Sequence, residues 1–269
     1  MLNAAIAGLG AVTALMVITW IASLVRRDVS LVDRVWGLSF IVFAATVAAV
    51  SDVEISGRAA LVLVAVTVWG LRLSAHITWR NWGHGEDPRY AAMRARRPAT
   101  FAWRSLVTVF VLQAALSALV GTALLAAIAT PDAPALWWLD GLALAVWVVG
   151  FVFETVGDAQ LARFGADPAN RTRVLDSGLW RYTRHPNYFG DATVWAGFGL
   201  FAVAAGAWWG LLGAALMGVL IVRVSGVALT DRTMAQSSRR VGYEDYVRRT
   251  NAFFPGPVRT TPSSCDSGQ

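Results

Sequence analysis

The sequence contains no lysine and a single cysteine, Cys265, among its 269 residues. One thiol in a polar C-terminal stretch excludes both a disulfide framework and a thiolate metal site. Charge is scarce as well. Charged residues make up 15% of the chain, whereas a soluble domain carries about 25%. The three histidines, at 76, 84 and 185, show no HxxxH or ExxH pairing and form a poor ligand set for a metal. There is no Walker loop and no GxGxxG after a strand, so a nucleotide would have to be held by something other than a soluble-protein phosphate loop.

Hydrophobic residues, by contrast, reach 56%, and the mean hydropathy of +0.52 points to a bilayer as solvent. We read an all-α integral membrane protein of about seven spans, approximately 4–25, 35–51, 59–79, 105–129, 136–161, 189–205 and 207–229. Each is near the ~20 residues that cross hydrocarbon. The first run ends in Arg26-Arg27 and is too long for a cleaved signal, so it reads as a retained helix.

Arginine placement supplies an independent check. Twenty of the 23 arginines fall in loops 26–34, 80–104 and 162–188 or after the last span. Only Arg58 lies on the other face, and Arg72 and Arg223 fall inside spans. Positive charge marks the cytoplasmic side. The expected protein is therefore a multi-pass protein of the inner (cytoplasmic) membrane, with its N-terminus outside and its C-terminus in the cytoplasm. The net charge of +6 then reports topology rather than nucleic-acid binding. Trp137, Trp138, Trp208 and Trp209 fall at outer ends of spans, where amphipathic rings suit the headgroup layer.

Ionisable groups inside spans are functional candidates, because each costs at least ~2.5 kcal/mol to insert. Arg72 and His76 share a face of span three, and Glu154 and Asp158 have the same i, i+4 spacing in span five. Asp191 opens span six, Arg223 lies in span seven, and Asp33 and Arg34 stand at the entry to span two. The plainer alternative is structural, with Glu154 or Asp158 pairing with Arg72 or Arg223 to hold the bundle together. The densest polar stretch is Asp176 to Trp195, DSGLWRYTRHPNYFGDATVW. Its arginines, with those of loop 162–188, match phosphate geometry bidentately.

From Gly178 to Gly190, GLWRYTRHPNYFG, the sequence resembles the bacterial branch of the steroid 5-alpha-reductase family. It is more distantly similar to isoprenylcysteine carboxyl methyltransferases, which share an RHPxYxG-type stretch. The likeness runs from about Glu154 to YEDYVRRTNAFFP, Tyr243 to Pro255, and the N-terminal half joins it through RDVSLVDRVWG and WGLRL. The resemblance implies NADPH held in a cavity of the helix bundle that opens to the cytoplasm. Asn187 and Asp191 would bind near the nicotinamide, and Asp158 would face the same cavity. Arg163 and Arg173 would take phosphate or ribose, and Tyr182, His185 and Tyr188 would line the cleft. Tyr246 and Arg249 would close over the nucleotide.

The implied chemistry is hydride transfer to an enone or alkene of a steroid- or isoprenoid-like substrate, with a proton donor. Asp33 matches the acidic residue that the family carries on its second span. The family's tyrosine on the third span is absent, the nearest being Tyr90 in the following loop, so His76 could substitute. A second departure is Asp191, where the family usually has glutamate.

The expected organisation is residues 1–135 as the substrate side, 136–255 as a reductase-like domain with the cofactor cleft, and 256–269 as a disordered tail. Beyond a lipid-soluble substrate and membrane lipid, the sequence implies no partner. Two other readings remain open. One is an S-adenosylmethionine-dependent membrane methyltransferase, although Leu229 to Met234 carries one acid where that class has paired glutamates. S-adenosylmethionine also lacks phosphates for Arg163, Arg171 and Arg173. The other is a non-enzymatic bundle that binds lipid or helps to assemble another membrane protein.

Overall fold

The computed structural model describes residues 1–52, 54–131, 133–226 and 242–259. Among them there is no strand, only an isolated parallel bridge between Thr183 and Asn251. Helices α1 (Leu2–Arg26), α2 (Leu31–Val50) and α3 (Gly57–Arg80) come first. A short helix, α4 (Pro88–Arg96), precedes α5 (Phe101–Val120) and α6 (Thr122–Ala129). Helix α7 (Trp138–Ala166) is the longest. After it come α8 (Pro186–Ala204), α9 (Trp208–Val224) and α10 (Tyr243–Arg249).

Five helices, α1, α2, α3, α5 and α7, are long and apolar enough to cross a membrane. The expected sixth and seventh spans are the ones that differ. Helix α8 is not among the five, since Asn187, Tyr188 and Asp191 occupy its first two turns. Helix α9 is shorter, and its backbone changes from a 3-10 turn at Trp208–Gly210 to a π stretch at Leu220–Ser225. The expected fourth span is interrupted at Gly121, between α5 and α6. Loop 80–104 also contains α4, which Asp87 caps by accepting from the Arg89 backbone N–H at 2.8 Å, with Pro88 at the first helical position.

The described chain forms two compact units. The first is Met1–Leu144 with Gly197–Leu216, and the second is Ala145–Ala196 with Met217–Gln269.

In the first unit, α2 packs against both α1 and α3, and α5 and α6 add to the same core. The α2–α3 crossing is backbone on backbone. A Cβ added to Gly37 would lie 2.4 Å from the Gly70 carbonyl oxygen, so only glycine fits. Small residues at such crossings let dispersion replace the missing hydrophobic drive between helices in lipid. Phe40 fills the space beside the crossing, its ring 5.7 Å from Trp69. Arg58, which the sequence reading set apart from the other loop arginines, is 1% exposed, and its guanidinium forks onto Asp140. In the second unit, α8 lies as closely on α7. A Cβ on Gly190 would come 2.3 Å from the Glu154 backbone nitrogen, and one on Gly150 would come 2.4 Å from that of Val194.

Candidate functional site

The α7–α8 crossing brings together residues far apart in the chain. Asp158, 7% exposed on α7, accepts a hydrogen bond from the Asn187 side-chain amide on α8 at 3.0 Å. Gly157 makes this possible, because the Asn187 backbone nitrogen passes 3.1 Å from where a Cβ would be. The Asn187 carbonyl oxygen accepts from the Tyr188 N–H at 3.1 Å, which fixes the amide's orientation. Tyr188 in turn lies nearly parallel to the buried His185 ring, with centroids 5.6 Å apart.

The segment before α8 is pinned at many points. Gly178 sits at φ +60°, and a side chain there would meet Gln160, whose carbonyl oxygen accepts from the Leu179 N–H at 3.0 Å. The Trp180 indole donates to the Gly157 carbonyl at 3.1 Å. The C-terminal NAFFP stretch returns to this segment. Thr183 donates to the Phe253 carbonyl at 2.8 Å, and the Arg184 N–H donates to the Asn251 carbonyl at 2.9 Å. Tyr246, buried on α10, donates to the Trp180 carbonyl at 2.6 Å. Burial pushes the Tyr246 phenol well above its ordinary value, so it stays a donor. Arg249 pairs with Asp176.

The residues expected to hold a cofactor thus divide. Asp158, Asn187, Tyr188, His185 and Asp191 lie on α7, on α8 or at the entry to α8, buried or half-buried. Tyr182, Arg163 and Arg173 are exposed, and Tyr246 and Arg249 make protein contacts that tie the tail down. Arg163, Arg171 and Arg173 form no ion pair among the described residues, which leaves their guanidinium groups available to an anion.

The first unit carries the other candidate acid groups. Asp33, in the first turn of α2, accepts from the Tyr90 hydroxyl at 3.0 Å and pairs with Arg89 at 3.1 Å. A tyrosine hydroxyl thus reaches Asp33 from α4 rather than from α3. His76, the residue expected to substitute, sits half-buried on α3 with its ring 6.1 Å from that of Trp79. Tyr90 is 8% exposed. Burial, reinforced by the Asp33 charge, raises the phenol far above its ordinary value, and it holds its proton throughout the physiological range.

Glu86 secures α4 to the start of α2. Its carboxylate accepts from the Val29 N–H at 2.9 Å and takes the Arg94 guanidinium in a fork, at 2.8 and 3.0 Å. Burial alone would raise the Glu86 carboxyl, but these hydrogen bonds outweigh it and hold it below the usual range. Sequence reading missed this latch and the Asp33–Tyr90 bond, because their spacings of 57 residues carry no local periodicity. The short run GEDPRY, with an Asp-Pro helix start, is the signal that could have placed Tyr90 on a helix.

A family model described as a protein of unknown function, DUF1295, matches residues 19–250. The chain belongs to the DUF1295 family. This family is related to steroid 5-alpha-reductase-like proteins. No curated protein and no solved structure matches the chain. The portion matched to DUF1295 includes both polar clusters, Asp33–Tyr90 and Asp158–Asn187. The segment Leu229 to Met234, which would bear on a methyltransferase, lies outside the described residues, as do Asp231, Cys265 and residues 260–269 of the C-terminal tail.

Proposed function

We propose that this DUF1295 protein is an NADPH-dependent membrane reductase that acts on an enone or alkene of a lipid-like, steroid- or isoprenoid-like molecule. The observation that carries this is the hydrogen bond between buried Asp158 and half-buried Asn187 at a glycine-lined helix crossing, in a unit whose Arg163, Arg171 and Arg173 form no ion pair among the described residues. The donor set suits the group. A carboxylate and an amide can bind carboxamide and ribose hydroxyls, and guanidinium groups can bind phosphates. S-adenosylmethionine would use the first set and leave the arginines idle.

The dinucleotide supplies the hydride when bound. The protein's own residues orient it and supply a proton. Asp158 fixes the Asn187 amide through one hydrogen bond, and the Tyr188 N–H fixes its other end. On the substrate side, assigned to the N-terminal helices, Asp33 accepts the Tyr90 hydrogen bond while Arg89 balances its charge. A phenol held protonated at neutral pH can polarise a substrate carbonyl by turning its one O–H from Asp33 to the carbonyl oxygen. His76 and Asp33 remain the titratable candidates alongside it. The same proposal takes seven spans in the inner membrane, with the N-terminus outside and the arginine-rich loops in the cytoplasm.

The test is a ligand scan on purified protein in detergent, with thermal unfolding as the readout. NADPH should stabilise the protein more than NADH or S-adenosylmethionine does. Asn187→Ala and Asp158→Ala should lose that stabilisation, and exposed Arg26→Ala should keep it. Equal or greater stabilisation by S-adenosylmethionine would overturn the reductase assignment.

A further inference from the structure

Between α4 and the start of α5 lies a shallow, open groove lined by Met93, Arg96, Arg97, Phe101, Arg104 and Thr108. Its charges are unbalanced. In the same unit Arg34, Arg58, Arg89 and Arg94 each pair with a carboxylate. Arg96, Arg97 and Arg104 form no ion pair among the described residues. Arg94 uses its charge on Glu86 while its guanidinium lies 4.5 Å from the Phe101 ring centroid, so the floor of the groove is aromatic and already covered on one side.

The setting is interfacial. Arg104 and Thr108 occupy the first two turns of α5, one of the helices long and apolar enough to cross a membrane. Trp103, between them and α4, is 71% exposed, and Trp79 in the last turn of α3 and Trp82 in the turn just beyond it are 66% and 73% exposed. The Trp20 indole donates to the Ala102 carbonyl at 3.0 Å and its ring sits 5.5 Å from that of Trp103, which anchors this corner to α1. Exposed indoles at the ends of apolar helices mark the headgroup layer.

We propose that this groove binds the headgroup phosphate of an anionic phosphoglycerolipid. Guanidinium groups match a phosphodiester bidentately, and Met93, 37% exposed, offers an apolar wall to the glycerol backbone beside it. A free phosphate ion would use the arginines but not that wall. The site lies in the first unit and does not depend on what the second unit binds.

The test uses the full chain purified in a neutral detergent. Phosphatidylglycerol, phosphatidylcholine and inorganic phosphate are each titrated against thermal unfolding, and retained lipid is counted by native mass spectrometry. Each arginine near an anionic surface contributes about fivefold, so the Arg96→Gln/Arg97→Gln/Arg104→Gln variant should bind phosphatidylglycerol on the order of a hundredfold more weakly. Arg26→Gln/Arg27→Gln, which alters exposed arginines outside the groove, should leave binding unchanged. Equal shifts from phosphatidylcholine, or from inorganic phosphate at equal concentration, would overturn the proposal. So would an equal loss in the Arg26/Arg27 variant, which would mean diffuse surface charge. If the triple variant does not fold, Arg104→Gln alone should weaken binding about fivefold, and no change in it refutes the site.

Discussion

Removing Arg58 should cost more stability than removing any exposed arginine in the chain. Its Nε and Nη2 donate to the two Asp140 oxygens at 2.6 and 2.9 Å, and its Nη1 donates to the Pro134 carbonyl at 3.0 Å. Asp140, 4% exposed, keeps one further donor, the Trp137 backbone N–H at 3.0 Å. Arg58→Ala therefore leaves a buried carboxylate with a single hydrogen bond. Breaking such a pair from one side costs about 3–5 kcal/mol. At roughly 2–4 °C per kcal/mol for a chain of this size, unfolding in detergent should fall by on the order of 10 °C.

Asp140→Leu alone should cost about as much, because the guanidinium then keeps only backbone carbonyls. The double variant Arg58→Met/Asp140→Leu should recover much of the loss, since an apolar replacement of a buried ion pair is often nearly neutral. The signature is strong coupling, with the double variant far more stable than the sum of the singles. Additive losses, or an Arg58→Ala shift within 2 °C of the Arg26→Ala shift, would refute a buried, mutually dependent pair.

Other consequences follow from the same geometry. Gly190→Ala places a Cβ 2.3 Å from the Glu154 nitrogen, so it should lose at least about 1–3 kcal/mol along with NADPH stabilisation. Gly218→Ala meets nothing within 4 Å and should be neutral or gain a few tenths up to about 1 kcal/mol from helix propensity; thermal unfolding of both variants checks the contrast. Tyr90→Phe should reduce turnover of an enone substrate while leaving the NADPH-induced thermal shift intact, and loss of both together would point to a purely structural role. Glu86 sits below its ordinary value of 4.5 in the folded chain. Its stabilisation is complete above that value and disappears as pH falls through the lower folded one. The difference in unfolding temperature between the native protein and Glu86→Gln should therefore shrink on acidification, and a constant gap would rule out the latch.

Much of the fold is legible because hydropathy is a local property. Runs such as Ala4 to Val25 are uniform over the length of a span, and five of them form helices of membrane-crossing length. The spans read least well were those in which polar residues share a helix with apolar ones. Helix α8 begins at Pro186 and carries Asn187, Tyr188 and Asp191 in its first two turns, so its hydropathy understates its helicity. The family likeness located the residues at the α7–α8 crossing. Which of them touch was not legible. Tyr90 was read as lying in a loop, and nothing in the linear order showed that α4 delivers its phenol to Asp33. Arg58 looked like an isolated charge on the sparse face because Asp140 lies 82 residues away.

By itself, then, the sequence determined solvent, helicity and family, all of which follow from composition, span length or short motifs. Tertiary structure alone decided the partners: Asp33 with Tyr90, Asp158 with Asn187, Arg58 with Asp140, and the backbone contacts at Gly37–Gly70 and Gly190. Each depends on two helices meeting at one register. A buried hydrogen bond is made or lost over less than an ångström, a distance that no linear pattern encodes.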